Sequence, residues 1–558
     1  MGKASRPAAA FACAILLAAA APAQVPAVAA PQAAAVPVLT TAQWREDLRF
    51  MAAEMERRHK NLFHTVSRAQ FEAAIADLDA RIPSLQRNEI VVGMMRIAAM
   101  VGDGHSRVDP RKDAKFGFPS LPLKLYLFED GVYVRAAAPE HAALVGARVE
   151  AIGGVPVEEA IRRVSEISSR DNEIGPRLFV PIYLAMPDIL HALKLSTGRD
   201  AASLKLRKGS RVWTAAIKAG AVDPVWPPDT DISLVTPPGW ADARRTTALP
   251  MWLQAPLDYH RMIDLPEQRA LYVQLNMVTD IKGQTMAEFA RKIGARVQAS
   301  NPRPLILDLR LNHGGNGNLR TQLVRTLIKA EDEDTRLFVL TWRGTFSASQ
   351  FILDDLDRLT DAVFVGEPAS SKPSSFGDAY RMPMPNTGIQ VRSSIVWWQA
   401  GQNHDPWTWV DVAAPLRFED YAAGRDPALE AALGYQPGPG LSKQLAEGAR
   451  SGGVAGARRA AEAYRSNPLN KYADVGQQLV AAAEQLHAAG YPAEALAVAE
   501  GAMRDYPRNV DAPLVVAHLA EAGGRIQLAR EAGRRTLQLD PNSRVARSLL
   551  ERLPPEGK

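Results

Sequence analysis

Beyond residue 23 the chain has no cysteine; its single one, Cys13, falls in the first 23 residues. That absence excludes a cysteine nucleophile, a disulfide framework and thiolate metal sites from the rest of the chain. It also makes the chain indifferent to an oxidising compartment. No later stretch offers the ~20 unbroken apolar residues that a membrane-spanning helix needs, so no membrane span is expected in the mature chain. Nor does one sign of charge dominate. Lys and Arg number 66 against 61 Asp and Glu, and two of the basic residues, Lys3 and Arg6, lie at the very start. So even a balance gives no reason to expect a nucleic-acid partner.

What is present begins with a leader. Lys3 and Arg6 precede an apolar core at 8–20, and Ala21-Pro22-Ala23 offers a small-residue cleavage site before Gln24. This is the pattern of a secretory signal over 1–23, and it predicts export across an inner membrane to the periplasm. Residues 24–40 are rich in Ala and Pro and read as a spacer. The remaining length suits three or four domains of about 150 residues each.

The first, at 41–106, reads as an N-terminal helical cap. Thr41 stands where a helix cap belongs, and Trp44, Leu48, Met51 and Met55 follow at near-helical spacing. Further helices are expected near 68–80 and 89–100. The last runs into Gly102-Asp103-Gly104-His105-Ser106, a tight loop that can hold an imidazole at a cleft. Residues 117–220 form a β-rich segment. A hairpin turns at Glu129-Asp130-Gly131, and a strand, Gly153-Gly154 and a helix near 157–167 follow. The segment resembles the middle of a PDZ-like module, or is an ordinary β-rich insert.

From 250 to 433 strands alternate with helices: 270–275, 304–309, 336–341 and 362–365 as strands, 285–299 and 318–329 as helices. This predicts an α/β layer with a mainly parallel sheet. Residues 441–558 are helical and Ala-rich. Gly490 and Gly524, Pro507 and Pro541, and Ala495 and Ala529 are each 34 residues apart, the tetratricopeptide period. Such a tail either docks a protein partner or lies as a lid on the preceding domain.

The chemistry centres on Gly344-Thr345-Phe346-Ser347-Ala348-Ser349-Gln350. Ser347 sits where a buried strand turns into a helix, a corner that exposes its oxygen and aims the helix's first N–H groups at a ligand. Alone it reads equally as a helix-capping serine, and His105, one of ten histidines, as a structural one. A second strand runs into Leu311-Asn312-His313-Gly314-Gly315-Asn316-Gly317-Asn318, glycines that let the backbone approach a ligand and turn amides toward it. A nest of amides beside a serine corner is what acyl transfer requires.

Four motifs occur in order: Asp103-Gly104-His105-Ser106, Leu307-Asp308-Leu309-Arg310 with its Asn/Gly tail, Thr345-Phe346-Ser347-Ala348-Ser349, and Val365-Gly366-Glu367-Pro368. Together they resemble the C-terminal processing, or tail-specific, serine peptidases, whose family includes the tricorn core protease. The resemblance covers about 44–433. It implies a crotonase-like α/β core, often with an inserted PDZ domain, and an exported serine endopeptidase acting on polypeptides without metal or organic cofactor. It places the nucleophile on Ser347 and the oxyanion donors at Gly314 and Ala348. For the base the family offers two chemistries. His105 is favoured, because the residues after Lys372 resemble the histidine branch. Lys372, 25 residues after Ser347, is the second candidate. Asp405 is a candidate third group, or a turn aspartate. Gln350 stands where many relatives have glutamate, and the repeat tail lies outside the family's usual core. The other reading is a catalytically inactive binding or scaffold protein on a peptidase fold.

Overall fold

The computed structural model describes residues 38–110, 117–220, 234–400 and 405–554. The expected signal, 1–23, and all but the last three residues of the expected spacer, 24–40, lie outside these. Helices, parallel strands and antiparallel strands all contribute, giving a mixed α/β architecture.

Three helices open the described chain: Thr41–Arg58, Arg68–Arg81 and Arg87–Met100. The first is capped by Thr40, one residue before the expected Thr41, because Gln43 closes a capping box on it. Trp44, Leu48, Met51 and Met55 are buried as their spacing predicts. They do not form a core of their own. They share one hydrophobic cluster with Val134, Val149 and Leu204 of an antiparallel sheet. That sheet runs in the order Leu123–Phe128, Gly131–Ala137, Arg148–Ile152, Ala201–Lys208, Arg211–Lys218, with two short strands at its margins. Three short helices, Val157–Ser165, Gly175–Tyr183 and Pro187–Ala192, fill its middle. The sequence suggested only the first of them.

The second body is a six-stranded sheet in the order Val412–Ala413, Val363–Gly366, Arg336–Thr341, Pro304–Asp308, Ala270–Leu275, His260–Leu265. All neighbours are parallel except the last pair. Strands buried on both faces read as continuous apolar runs, which is why they were legible. Helices Met286–Ser300, Thr321–Ala330 and Ala348–Leu359 bury Ile293, Leu327 and Ile352 on one face. Ala428 and Leu429 of helix Pro427–Leu433 cover the other.

A three-stranded sheet stitches the two bodies together. Arg107–Asp109, directly after the Asp103–Ser106 loop, pairs antiparallel with Gln390–Trp398, which pairs with Ser375–Pro383. The tail is helical from Leu441 to Arg552, with a break at Gly452 and Gly453. Gly490 and Gly524 take positive φ after helices Val475–Ala488 and Asp511–Ala522, so the 34-residue spacing falls on corresponding turns. Among the described residues no helix is long and apolar enough to cross a membrane.

Arg343 is fully buried at the end of strand Arg336–Thr341. It grips Glu367 with two bonds of 2.8 and 2.7 Å and donates to the Leu127 and Arg177 carbonyls. Burial pushes the Glu367 carboxyl up, but Arg343 outweighs it and holds it below the usual range. Removing one partner strands a buried charge. Glu367→Gln is therefore expected to cost about 3–5 kcal/mol, read from the midpoint of urea unfolding. The double change Arg343→Met with Glu367→Leu should recover part of that loss.

Candidate active site

Ser347 caps helix Ala348–Leu359 at φ 60°, ψ −124°. A side chain at positive φ costs of order 1–3 kcal/mol and persists only where its surroundings impose it. Here they do. The Ser347 N–H donates to Ser371 Oγ at 2.9 Å. The Phe346 N–H donates to the Asn312 carbonyl and to Ser349 Oγ. The Thr345 hydroxyl donates to the Leu309 carbonyl and accepts from the Trp342 N–H. Gly314 lies so close that a Cβ there would come within 2.7 Å of the Ser347 Cβ. The strained corner turns Oγ outward into a cavity of about 430 Å³.

His105 reaches that oxygen from 242 residues away, with Nε2 3.0 Å from Ser347 Oγ. Its ring lies against Phe346, centroids 4.4 Å apart. Gly104 allows this approach, since a Cβ would meet the Phe346 ring at 2.9 Å. Burial pushes the imidazole down to about 4, with Asp103 and Arg107 acting in opposite directions. The ring is therefore neutral near pH 7, and Nε2 can accept the serine proton. Nδ1 is buried and meets no acceptor in good hydrogen-bond geometry; the Phe376 carbonyl acts on the ring in favour of its proton.

Asp103 does not reach His105 Nδ1. It organises the loop instead. Oδ1 accepts from the His105 and Ser106 N–H groups, both at 2.7 Å, and from the Ser394 hydroxyl. Oδ2 lies 2.8 Å from His59 Nε2. The Asn61 N–H donates to His59 Nδ1, so a neutral His59 carries its proton on Nε2 and donates it to Asp103. Burial pushes the Asp103 carboxyl up, but the His59 and Ser106 bonds outweigh it and hold it at about 2.

Of the residues expected from the sequence, Ser347, His105, Gly314 and Ala348 meet at this corner. Gly314 differs in one respect. Its N–H donates to Asn312 Oδ1 at 2.9 Å, so it is already engaged. The free amides here are those of Gly315 and Ala348, which have no partner among the described residues. Lys372 makes no hydrogen bond to Ser347 and does not line the cavity. It lies near enough to Asp171 to favour that carboxylate's charge. Asp405 acts on Asp357 and Asp474 and does not line the cavity. Gln350 donates to Asp354 and Thr408, tying the helix to the 406–410 segment. Among the described residues no group of three His, Cys, Asp or Glu could hold a metal.

Two participants escaped the sequence reading. Asp171 is buried and accepts from the Gly104 N–H at 2.7 Å. Burial, with Asp103 nearby, pushes its carboxyl up to about 7. Ser371 holds the nucleophile turn, its Oγ accepting from the Ser347 N–H, and its carbonyl accepts from Asn172 beside Asp171. Neither belongs to a recognisable local pattern.

No protein-family model and no curated protein matches the sequence. Solved structures do align with it. Mature CPAF complexed with lactacystin covers 68% of this chain and 95% of its own, at 14% identity and a TM-score of 0.46. The photosystem II D1 C-terminal processing protease covers 70% and 99%, at 15% and 0.30. The tricorn protease covers 70% and 36%, at 14% and 0.30. At such identities the chemistry of the site rests on its own side chains.

The folded value of His105 lies below that of a free imidazole. Acid therefore charges the unfolded chain first, and this ring withdraws stability as pH falls from about 6.5 toward 4. An NMR titration of the histidine rings is expected to keep His105 neutral down to about pH 4. A midpoint near 6.5 would mean that the ring is open to water.

Proposed function

We propose that the protein is an exported serine endopeptidase that hydrolyses polypeptides through an acyl-enzyme on Ser347. The observation that carries this is the 3.0 Å approach of His105 Nε2 to a hydroxyl on a positive-φ, strand-to-helix corner. Half-buried polar side chains brought together from distant segments and aimed into a cavity are a common form of active site.

In this reading Ser347 Oγ attacks the scissile carbonyl carbon while its proton passes to His105 Nε2. The tetrahedral oxyanion lies against the Ala348 and Gly315 amides. Collapse breaks the C–N bond, and the proton on Nε2 goes to the leaving amine. Water, deprotonated by the same nitrogen, then cleaves the acyl ester and restores the hydroxyl. Asp103 fixes the loop that carries His105 but does not touch its ring nitrogens. The leader at 1–23 would direct the chain to the periplasm, and the helical repeats from 441 would offer a surface to a protein partner.

The test uses a fluorophosphonate and an unfolded protein substrate. Ser347→Ala is expected to abolish labelling and turnover. His105→Gln is expected to lower turnover by about 10²–10⁴, whereas Lys372→Met should stay within a few-fold of the parent. The reverse order of those two would move the base to the lysine. A parent that neither labels nor hydrolyses, yet binds unfolded chains, would leave a scaffold protein on a peptidase fold.

A further inference from the structure

We propose that the cavity beside Ser347 takes an acidic side chain of the substrate polypeptide, gripped by Arg107, Arg381 and Arg170. This rests on the peptidase reading and names the substrate class it implies. The carrying observation is a row of like charges. In the three-stranded sheet Arg107 stands directly opposite Arg392, and Arg392 directly opposite Arg381. Residues paired across strands project from the same face, and like charges placed so repel each other. All three line the cavity that holds Ser347 and His105, and Arg170 lines it too.

No Asp or Glu lines that cavity among the described residues. Asp109 comes no closer to Arg107 than 4.0 Å, and Glu173 no closer to Arg170 than 3.9 Å. Arg107 Nε is buried without a hydrogen-bond partner, its guanidinium held 5.4 Å from the centre of the Phe179 ring. Asp378, which acts on His105 through space, is exposed and outside the cavity lining. A bound carboxylate would offset the like charge that Arg107, Arg381 and Arg170 bring to the cavity. It would also accept the paired N–H groups that a guanidinium presents. Leu178, Phe179 and Met277 give the cavity an apolar side for the methylenes that carry such a group. A carboxylate can come from an internal Asp or Glu or from a chain end, and the experiment separates the two.

Binding to full-length Ser347→Ala is measured by fluorescence anisotropy, so that no turnover is required. The first arm uses peptides blocked at both ends that carry Glu, Gln or Lys at one position. The second uses neutral peptides with a free or an amidated C-terminus. The Glu peptide is expected to bind about tenfold tighter than its Gln twin, with an advantage that shrinks as salt rises. In the same background Arg170→Glu with Arg381→Glu should reverse the preference toward the Lys peptide, an outcome that a misfolded variant cannot give. Equal binding of Glu and Gln peptides would overturn the proposal. So would a preference that follows only the free C-terminus. A parent that fails to hydrolyse anything while the Glu preference stands would sink the peptidase reading and leave this one intact.

Discussion

The site depends on one backbone constraint, the positive φ at Ser347. A non-glycine residue adopts that conformation against its own sterics, so the strain must be met by neighbours. The neighbours come from three directions. Asn312 and Leu309, at the end of the adjacent strand, accept from Phe346 and Thr345. Ser371, beyond the next strand, accepts from Ser347 itself. Arg343, four residues back, is locked by Glu367 in a buried two-bond grip. Glu367 belongs to the Val365–Pro368 motif, and its contribution is this grip, not chemistry at the cavity. The corner then does two things at once: it lifts Oγ clear of the sheet, and it leaves the Ala348 N–H unengaged beside it.

The partner of that hydroxyl belongs to the other body of the fold. His105 sits between helix Arg87–Met100 and strand Arg107–Asp109, and both ends of its loop are fixed by tertiary contacts. The strand is held by pairing with Gln390–Trp398. The loop is held by Asp103, a buried carboxylate with donors on both oxygens. A buried charge is tolerable only when so many donors surround it. Asp171 adds a second tie, from the helical part of the β-rich body to the Gly104 N–H. Its neighbour Asn172 donates to the Ala369 and Ser371 carbonyls, and Ser371 Oγ accepts from the Ser347 N–H, so the tie continues to the nucleophile turn. The two halves of the site are thus linked behind the cavity as well as across it.

The sequence made some of this legible and not the rest, for physical reasons. Parallel strands such as Leu305, Ile306 and Leu307 are buried on both faces and announce themselves as apolar runs. Ser347, His105, Gly314 and Ala348 lay in motifs whose order could be read without coordinates. The helices at 175–192 were not seen, because Pro176, Pro181 and Pro187 interrupt their pattern. The exchange of Gly315 for Gly314 as the free donor could not be seen, because it depends on where the Asn312 side chain folds back. Asp171 and Ser371 could not be found either, since their roles come from tertiary contacts, Asp171 with Gly104 67 residues away and Ser371 with Ser347 24 residues away. The arginine row is of the same kind. Positions 107, 381 and 392 become neighbours only once the strand register is known.

That row also bears on the proton that His105 would carry. Asp103 favours the charged imidazole and Arg107 opposes it, so burial decides, and the ring rests neutral. A neutral base is ready to accept a proton, but the imidazolium formed next would face Arg107. An anion drawn into the cavity would weaken that opposition at the moment it matters, without changing the resting state of the ring. The acids here, Asp103 and Asp171, are buried behind the imidazole, whereas the arginines face the cavity in front of it. The cavity face is therefore positive, while Asp103 and Asp171 lie outside its lining and are committed to fixing the loop.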